Sequence, residues 1–209
     1  MQIAISGPAG AGKGTLARAL ARTLHIAYVD AGLIFRGIAY AKTQDASRIQ
    51  YTWDGFEAYL ALDGENITPV LKSEEIASIT SRLAENIQHL RVMEAMVHAI
   101  AAQFPHLVCD GRNAGTTILP DAQFKFYVTA DTEVRAMRRM HDLAKQNCVV
   151  PYTVILHEIT ERDRRDCMRA SHPFVVPADA TIIDTSTSSI EGSIKKMMRV
   201  IKESAILPH

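Results

Sequence analysis

The pattern of the chain predicts an α/β fold, a parallel sheet covered by helices, and three observations carry that reading. Short apolar runs alternate with amphipathic stretches along most of the 209 residues, as repeated strand–helix units require. A glycine-rich stretch, Gly7-Pro8-Ala9-Gly10-Ala11-Gly12-Lys13-Gly14-Thr15, joins the first apolar run to the first amphipathic one. Arginines then recur just after the ends of predicted strands, on the side where open α/β sheets bind ligands.

The elements follow in order. Gln2–Ser6 reads as a buried first strand. Beyond the glycine turn, Leu16, Leu20 and Leu24 recur at helical spacing and give the next segment one apolar stripe. Ile26–Asp30 reads as a second strand and residues 32–42 as a second helix. Between 43 and 71 the pattern breaks. There Phe56–Leu62, the Asp63-Gly64 pair, Ile67 and Val70 predict a small hairpin or irregular insertion. Ser73 followed by Glu74 and Glu75 has the chemistry of an N-cap with acids in the first turn. Helical periodicity then runs to about Gln103, with a break near Asn86. His106–Asp110 and Phe124–Val128 read as the third and fourth strands, and helices are predicted over 131–146 and 153–166. Thr181–Asp184 is the fifth strand, and Ser188 with Glu191 has capping-box spacing for a last helix.

Composition excludes several classes. A hydrophobic share of 47% and a charged share of 22% exclude disordered and fibrous chains. Lys+Arg and Asp+Glu balance at 23 each, so net charge supplies no attraction to nucleic acid or to a membrane surface. Three cysteines, Cys109, Cys148 and Cys167, contain no C-x-x-C pair and leave one unmatched, which points to a reducing compartment. The start runs into Gln2–Ser6 without a basic region and long apolar run, and no segment reaches the roughly 18 apolar residues of a membrane helix. A cytoplasmic monomer is expected. The eight histidines show no paired metal spacing, and the methionines at helical spacing read as core filler.

The glycine-rich stretch has the spacing G-x-x-x-x-G-K of a phosphate loop. Glycines there let successive backbone N–H groups converge on phosphate oxygens at the positive end of a helix. Lys13 adds a mobile charge for the β- and γ-phosphates. Gly14 stands where switch GTPases carry a magnesium-binding hydroxyl. Thr15, one place on, is positioned to contact phosphate or to hold the ion through water. No N-K-x-D guanine-reading motif is present, which disfavours a GTPase switch. Asp30 and Asp110 end strands beside the loop, where a contact to magnesium-bound water and plain helix capping are both open.

A second phosphate partner is implied by the arginines. Arg36 follows the second strand in Asp30-Ala31-Gly32-Leu33-Ile34-Phe35-Arg36, and Arg112 follows the third in Asp110-Gly111-Arg112-Asn113. Arg135, Arg138 and Arg139 share a helix face at i, i+3, i+4. Arg162, Asp166 and Arg169 repeat the device at i, i+4, i+7 within Glu161–Arg169, while Arg164 and Arg165 read as surface residues. Arginine suits phosphoryl transfer because its fork bonds two phosphate oxygens and keeps its charge when desolvated. The readings left open are phosphoryl transfer to CMP, to another monophosphate such as UMP or AMP, and a non-catalytic nucleotide-binding or ATPase module.

Taken in order, the phosphate loop, D-x-G-x-x-[YF]-R, D-G-R-x-x-G-T, Pro120-Asp121-Ala122 and E-R-D-x-R-D-x-x-R resemble the bacterial cytidylate kinases over nearly the full length. The resemblance implies a three-layer P-loop nucleoside monophosphate kinase fold with a five-stranded parallel sheet. It further implies a core over about 1–42 and 104–209, a monophosphate-binding insertion over about 43–103, and a lid over about 140–168. It implies magnesium-dependent phosphorylation of CMP and dCMP by ATP. On matching positions, Arg36 contacts the acceptor phosphate, Ser81 and Arg91 lie by the acceptor base, and Arg112 and Asn113 line the cytosine pocket. Arg162 and Asp166 hold the sugar, Arg169 holds the phosphate, and Arg138 and Arg139 act in or beside the lid. Three departures stand out: Ala31 for the family's Ser, Phe35 for its Tyr, and Asn113 for its acidic residue. A carboxylate at position 113 accepts from cytosine's 4-amino group, whereas an amide able to turn over also donates to uracil. Weakened discrimination between CMP and UMP is therefore expected.

Overall fold

The computed structural model describes residues 1–43, 45–145, 147–169 and 172–206. The main elements are β1 (Gln2–Ser6), α1 (Lys13–Leu24), β2 (Ala27–Asp30), α2 (Ala31–Ala41), β3 (Ile49–Trp53), β4 (Ala58–Leu62) and β5 (Glu65–Asn66). They continue with α3 (Glu74–Leu83), α4 (Ile87–Ala101), β6 (Leu107–Asp110), β7 (Phe124–Thr129), α5 (Thr132–Lys145), α6 (Tyr152–Met168), β8 (Thr181–Asp184) and α7 (Ile190–Ile206).

Five strands form one parallel sheet in the order β2-β6-β1-β7-β8. Its central strands are apolar on both faces because helices cover both: Ile3, Ala4, Ile5, Val108, Cys109, Phe126 and Val128 are all fully buried. The β2–β6 register pairs Asp30 with Asp110. Two carboxylates thus end adjacent strands at the C-terminal edge of the sheet, beside the glycine turn that follows β1.

The insertion is more regular than its sequence predicts. β3, β4 and β5 make a three-stranded antiparallel sheet, and β3 was not foreseen. Ile49-Gln50-Tyr51-Thr52-Trp53 lacks a glycine or proline at its start, so nothing local marks its boundary. The Asp63-Gly64 turn was legible: both residues have positive φ, 52° and 86°, as a tight hairpin demands. β3 is tied to the main sheet. The Tyr51 hydroxyl donates to the Tyr28 carbonyl at 2.9 Å and accepts from the Asp30 N–H at 3.0 Å. Trp53 meets the Tyr28 ring edge-on at 5.2 Å.

The long helical stretch divides at Asn86, whose side chain accepts from the Gln88 N–H at 2.9 Å and caps α4. Ser73 caps α3 as expected. The last cap is shifted by one residue: Ser189, not Ser188, accepts from the Gly192 N–H at 3.0 Å. Glu191 instead pairs with Lys195 at 2.8 Å along α7. A π-helical turn over Ala114–Ile118 was also not foreseen. It carries the chain away from β6 directly after Arg112 and Asn113, and such turns cluster at functional sites.

One large core spans the sheet, α1, α2, α4 and the insertion. A second, small cluster of Ala136, Leu143, Ile155 and Ile159 joins α5 to α6.

Candidate active site

The loop after β1 is built by strain that glycine removes. Gly10 and Gly12 take φ of 76° and 89°, and a Cβ on Gly7 would stand 2.0 Å from the Val128 carbonyl oxygen. Gly12 is the N-cap of α1 and offers no side-chain acceptor, so the first-turn N–H groups of the helix remain available to an anion. Lys13 Nζ donates to the Pro8 carbonyl at 2.8 Å. Burial lowers its pKa, and Arg112 lowers it further. Thr15 is exposed at the loop's end.

Beneath the loop lies a buried polar network. The hydroxyl of fully buried Tyr28 donates to Asp110 Oδ1 at 2.7 Å. Burial and the neighbouring Asp30 push the Asp110 carboxyl up, while Lys13 opposes the shift. Asp30 caps α2, its Oδ1 accepting from the Leu33 N–H at 2.7 Å. A side chain at Gly14 would meet Arg18, Asp110 and Tyr28 only at ordinary contact distances, from 3.5 to 3.6 Å. Glycine there is not dictated by space.

α5 braces the loop from above. Arg135, predicted as one of three arginines on a shared face, is buried. It donates to the Ala9 carbonyl at 3.2 Å and to Asp163 Oδ2 at 2.6 Å. Arg138 turns to Thr185, beyond β8, donating to its carbonyl at 2.6 Å and its hydroxyl at 3.0 Å. Thr185 in turn donates to the Ala11 carbonyl at 3.0 Å. Arg135, Tyr28 and Thr185 were not singled out as site residues from sequence. A lone arginine within a charged helix face, a tyrosine inside an apolar strand and a threonine after one carry no local signal.

The remaining arginines converge. Arg162 is largely buried, and its pKa falls to about 9 through burial and through the charges of Arg112, Arg36, Arg139 and Arg169. Burial likewise lowers Arg112 and Arg169, each to about 10. Few carboxylates compensate. Asp166, 2% exposed, takes Arg112 at 2.6 Å and also contacts Arg169; Asp163 is engaged by Arg135. Nε of Arg162 is buried without a hydrogen-bond partner. Cations held this close in a desolvated site are costly unless an anion joins them.

The acceptor-side residues divide. Ser81 on α3 lines a cavity of about 220 Å³ with Glu85, Asp166 and Arg169. Arg164 and Arg165, predicted to be surface residues, are exposed but border the same cavity. Arg91 is exposed on α4, and no described contact joins it to the cluster. Asn113 Nδ2 donates to the His172 carbonyl at 3.0 Å. Of the two other departures from the family pattern, Ala31 and Phe35 are both buried in the core, where a hydroxyl would need a partner.

Comparisons with known proteins agree with this geometry. The family model described as Cytidylate kinase matches residues 3–203. Curated relatives include a cytidylate kinase of Mesorhizobium japonicum, 39% identical over 96% of this chain and 94% of the relative. One of Coxiella burnetii is 36% identical over 96% and 92%. Among solved structures, shikimate kinase from Bacteroides thetaiotaomicron aligns with a TM-score of 0.53 at 15% identity, covering 97% of this chain and 98% of that one. TT1252 from Thermus thermophilus aligns at 0.56 and 14%, covering 100% and 98%. At such identities those two speak to the fold alone. The match along almost the whole length, with relatives above one-third identity, shows that the chain belongs to the cytidylate kinase family.

Proposed function

We propose that the chain transfers the γ-phosphoryl group of ATP to CMP and dCMP, releasing ADP and CDP or dCDP, within pyrimidine nucleotide metabolism. The observation that carries this reading is Arg162, a buried guanidinium lowered by four other arginines and left with an unpartnered Nε. A protein binding one nucleotide on its phosphate loop has no need of a second cationic site. A transferase joining two phosphate chains does, and this argues against a non-catalytic nucleotide module.

In this reading the N–H groups of Gly7–Thr15 and Lys13 hold the β- and γ-phosphates of ATP. Arg36 and Arg169 hold the acceptor phosphate, and Arg162 with Asp166 holds the sugar. Ser81, Arg91, Arg112 and Asn113 border the base. An ionised oxygen of the acceptor phosphate attacks the γ-phosphorus in line as the bond to the β-bridging oxygen breaks, and ADP leaves with that electron pair. No general base is required, because the attacking oxygen is already ionised at neutral pH. Arg162, Arg138 and Arg139 supply positive charge to the phosphoryl group in flight.

Magnesium fits the donors present. Thr15, Asp30 and Asp110 offer only oxygen. No group of three His, Cys, Asp or Glu side chains poised for a metal occurs among the described residues, which suits an ion carried mainly by phosphates and water. When bound, the ion neutralises charge on the β- and γ-phosphates.

The insertion over 43–103 and the α5–α6 pair over about 140–168 would close on the acceptor and exclude water, favouring transfer over hydrolysis. The three free cysteines support a reducing, cytoplasmic setting. The test is ATP-dependent ADP release with CMP, dCMP, UMP and AMP in turn. CMP and dCMP should give the highest kcat/KM. ADP release that is independent of any monophosphate would favour the ATPase module, and preference for AMP would move the chain to another acceptor.

A further inference from the structure

We propose that His172 is an orientation latch for Asn113, fixing its amide so that only the oxygen faces the acceptor base and the site selects a pyrimidine bearing a 4-amino group. The inference rests on the reading of Arg112 and Asn113 as neighbours of the base.

Three observations converge on it. Asn113 Nδ2 donates to the His172 carbonyl at 3.0 Å. That carbonyl is only an acceptor, so the nitrogen of the amide must face it, and a turned amide would set oxygen against oxygen. Oδ1 of Asn113 is buried and has no hydrogen-bond partner, although a buried acceptor ordinarily has one. Asn113 also follows Arg112, which is ion-paired with Asp166 inside the arginine cluster. A base attached to a phosphate held by that cluster would bring its edge toward Oδ1. A 4-amino group supplies the missing donor; a 4-oxo group places an acceptor against an acceptor.

The latch is itself anchored. His172 has a φ of 52°, unusual for a residue with a side chain. Its Nδ1 lies 3.4 Å from Glu94 Oε1 on α4, and both side chains are largely buried. Glu94 therefore holds the His172 ring, and with it the direction of the His172 carbonyl. The amide at position 113 does the work of a carboxylate because a backbone oxygen forbids its other orientation. Sequence alone could not show this, because the partner is a main-chain atom 59 positions away.

The test is kcat/KM for CMP and for UMP with ATP in the wild type, Glu94→Ala and Glu94→Gln. The expected wild-type CMP:UMP ratio is ~10³ or more, the scale at which a required buried hydrogen bond rejects its absence. It should fall at least ~10-fold in Glu94→Ala and be restored to within that factor in Glu94→Gln, whose amide oxygen still accepts from the ring. A wild-type ratio below ~10³ overturns the latch. So does a smaller fall in Glu94→Ala or a lack of rescue in Glu94→Gln. Absence of transfer to either substrate removes the kinase reading instead, and the latch with it.

Discussion

Arg162 shows most clearly what the site costs the protein when no anion is bound. Its pKa in the folded chain is depressed to about 9 by burial and by four other arginines. For a depressed group, stability is lost as pH falls through the folded value. The full penalty is therefore present throughout the neutral range. Replacing Arg162 with Leu should stabilise the ligand-free protein by about 1–3 kcal/mol in urea unfolding at pH 7, since an uncompensated buried charge is removed. The advantage should narrow as pH rises through about 9. Equal stability of the two proteins at pH 7 would mean that the guanidinium is better satisfied than its surroundings indicate.

Residues were legible in sequence where chemistry and spacing coincided. Lys13, Arg36, Arg112, Arg162, Asp166 and Arg169 stand in recognisable order, and the fold draws the last five of them toward one cleft. Asn113 was visible as a departure, yet its consequence depended on the His172 carbonyl. Arg135 was visible as a charge on a helix face, but its brace to the Ala9 carbonyl appears only once α5 lies over the loop.

The elements were legible to the degree that each carried its own period or its own cap. All five strands of the parallel sheet read as apolar runs because both faces are covered. β3 did not, since its alternation of buried Ile49 with exposed Gln50 and Thr52 is short and unpunctuated. The π-helical turn over Ala114–Ile118 has no sequence period to detect. Packing between elements is equally hidden, and Gly37 illustrates it. This glycine on α2 would, with a Cβ, stand 2.0 Å from Leu60 Cδ2 on β4, and Leu60 is fully buried. Helix propensity alone favours Gly37→Ala by up to about 1 kcal/mol. Overpacking should win, with a net destabilisation of about 1–3 kcal/mol by urea denaturation. A stabilised variant would show that the insertion sheet yields freely against α2.

At the scale of the molecule, two hydrophobic units and one polar cleft divide the labour. The large core fixes the sheet, the glycine loop and the Asp30–Asp110 edge. The small α5–α6 core is separate, and it carries Arg135, Arg138, Arg139 and Arg162 as one body. That separation is what a closing lid requires, because α5 and α6 keep their mutual packing when they shift against the sheet.

The central claim is that the buried arginines serve the acceptor rather than ATP, and steady-state kinetics of Arg162→Leu with CMP and ATP varied in turn tests it most directly. The account predicts that kcat/KM for CMP falls by ~10²–10³, the cost of one transition-state charge donor, while the dissociation constant for ATP measured without CMP stays within about threefold. A variant that phosphorylates CMP at the wild-type rate, or that loses ATP binding instead, would contradict it.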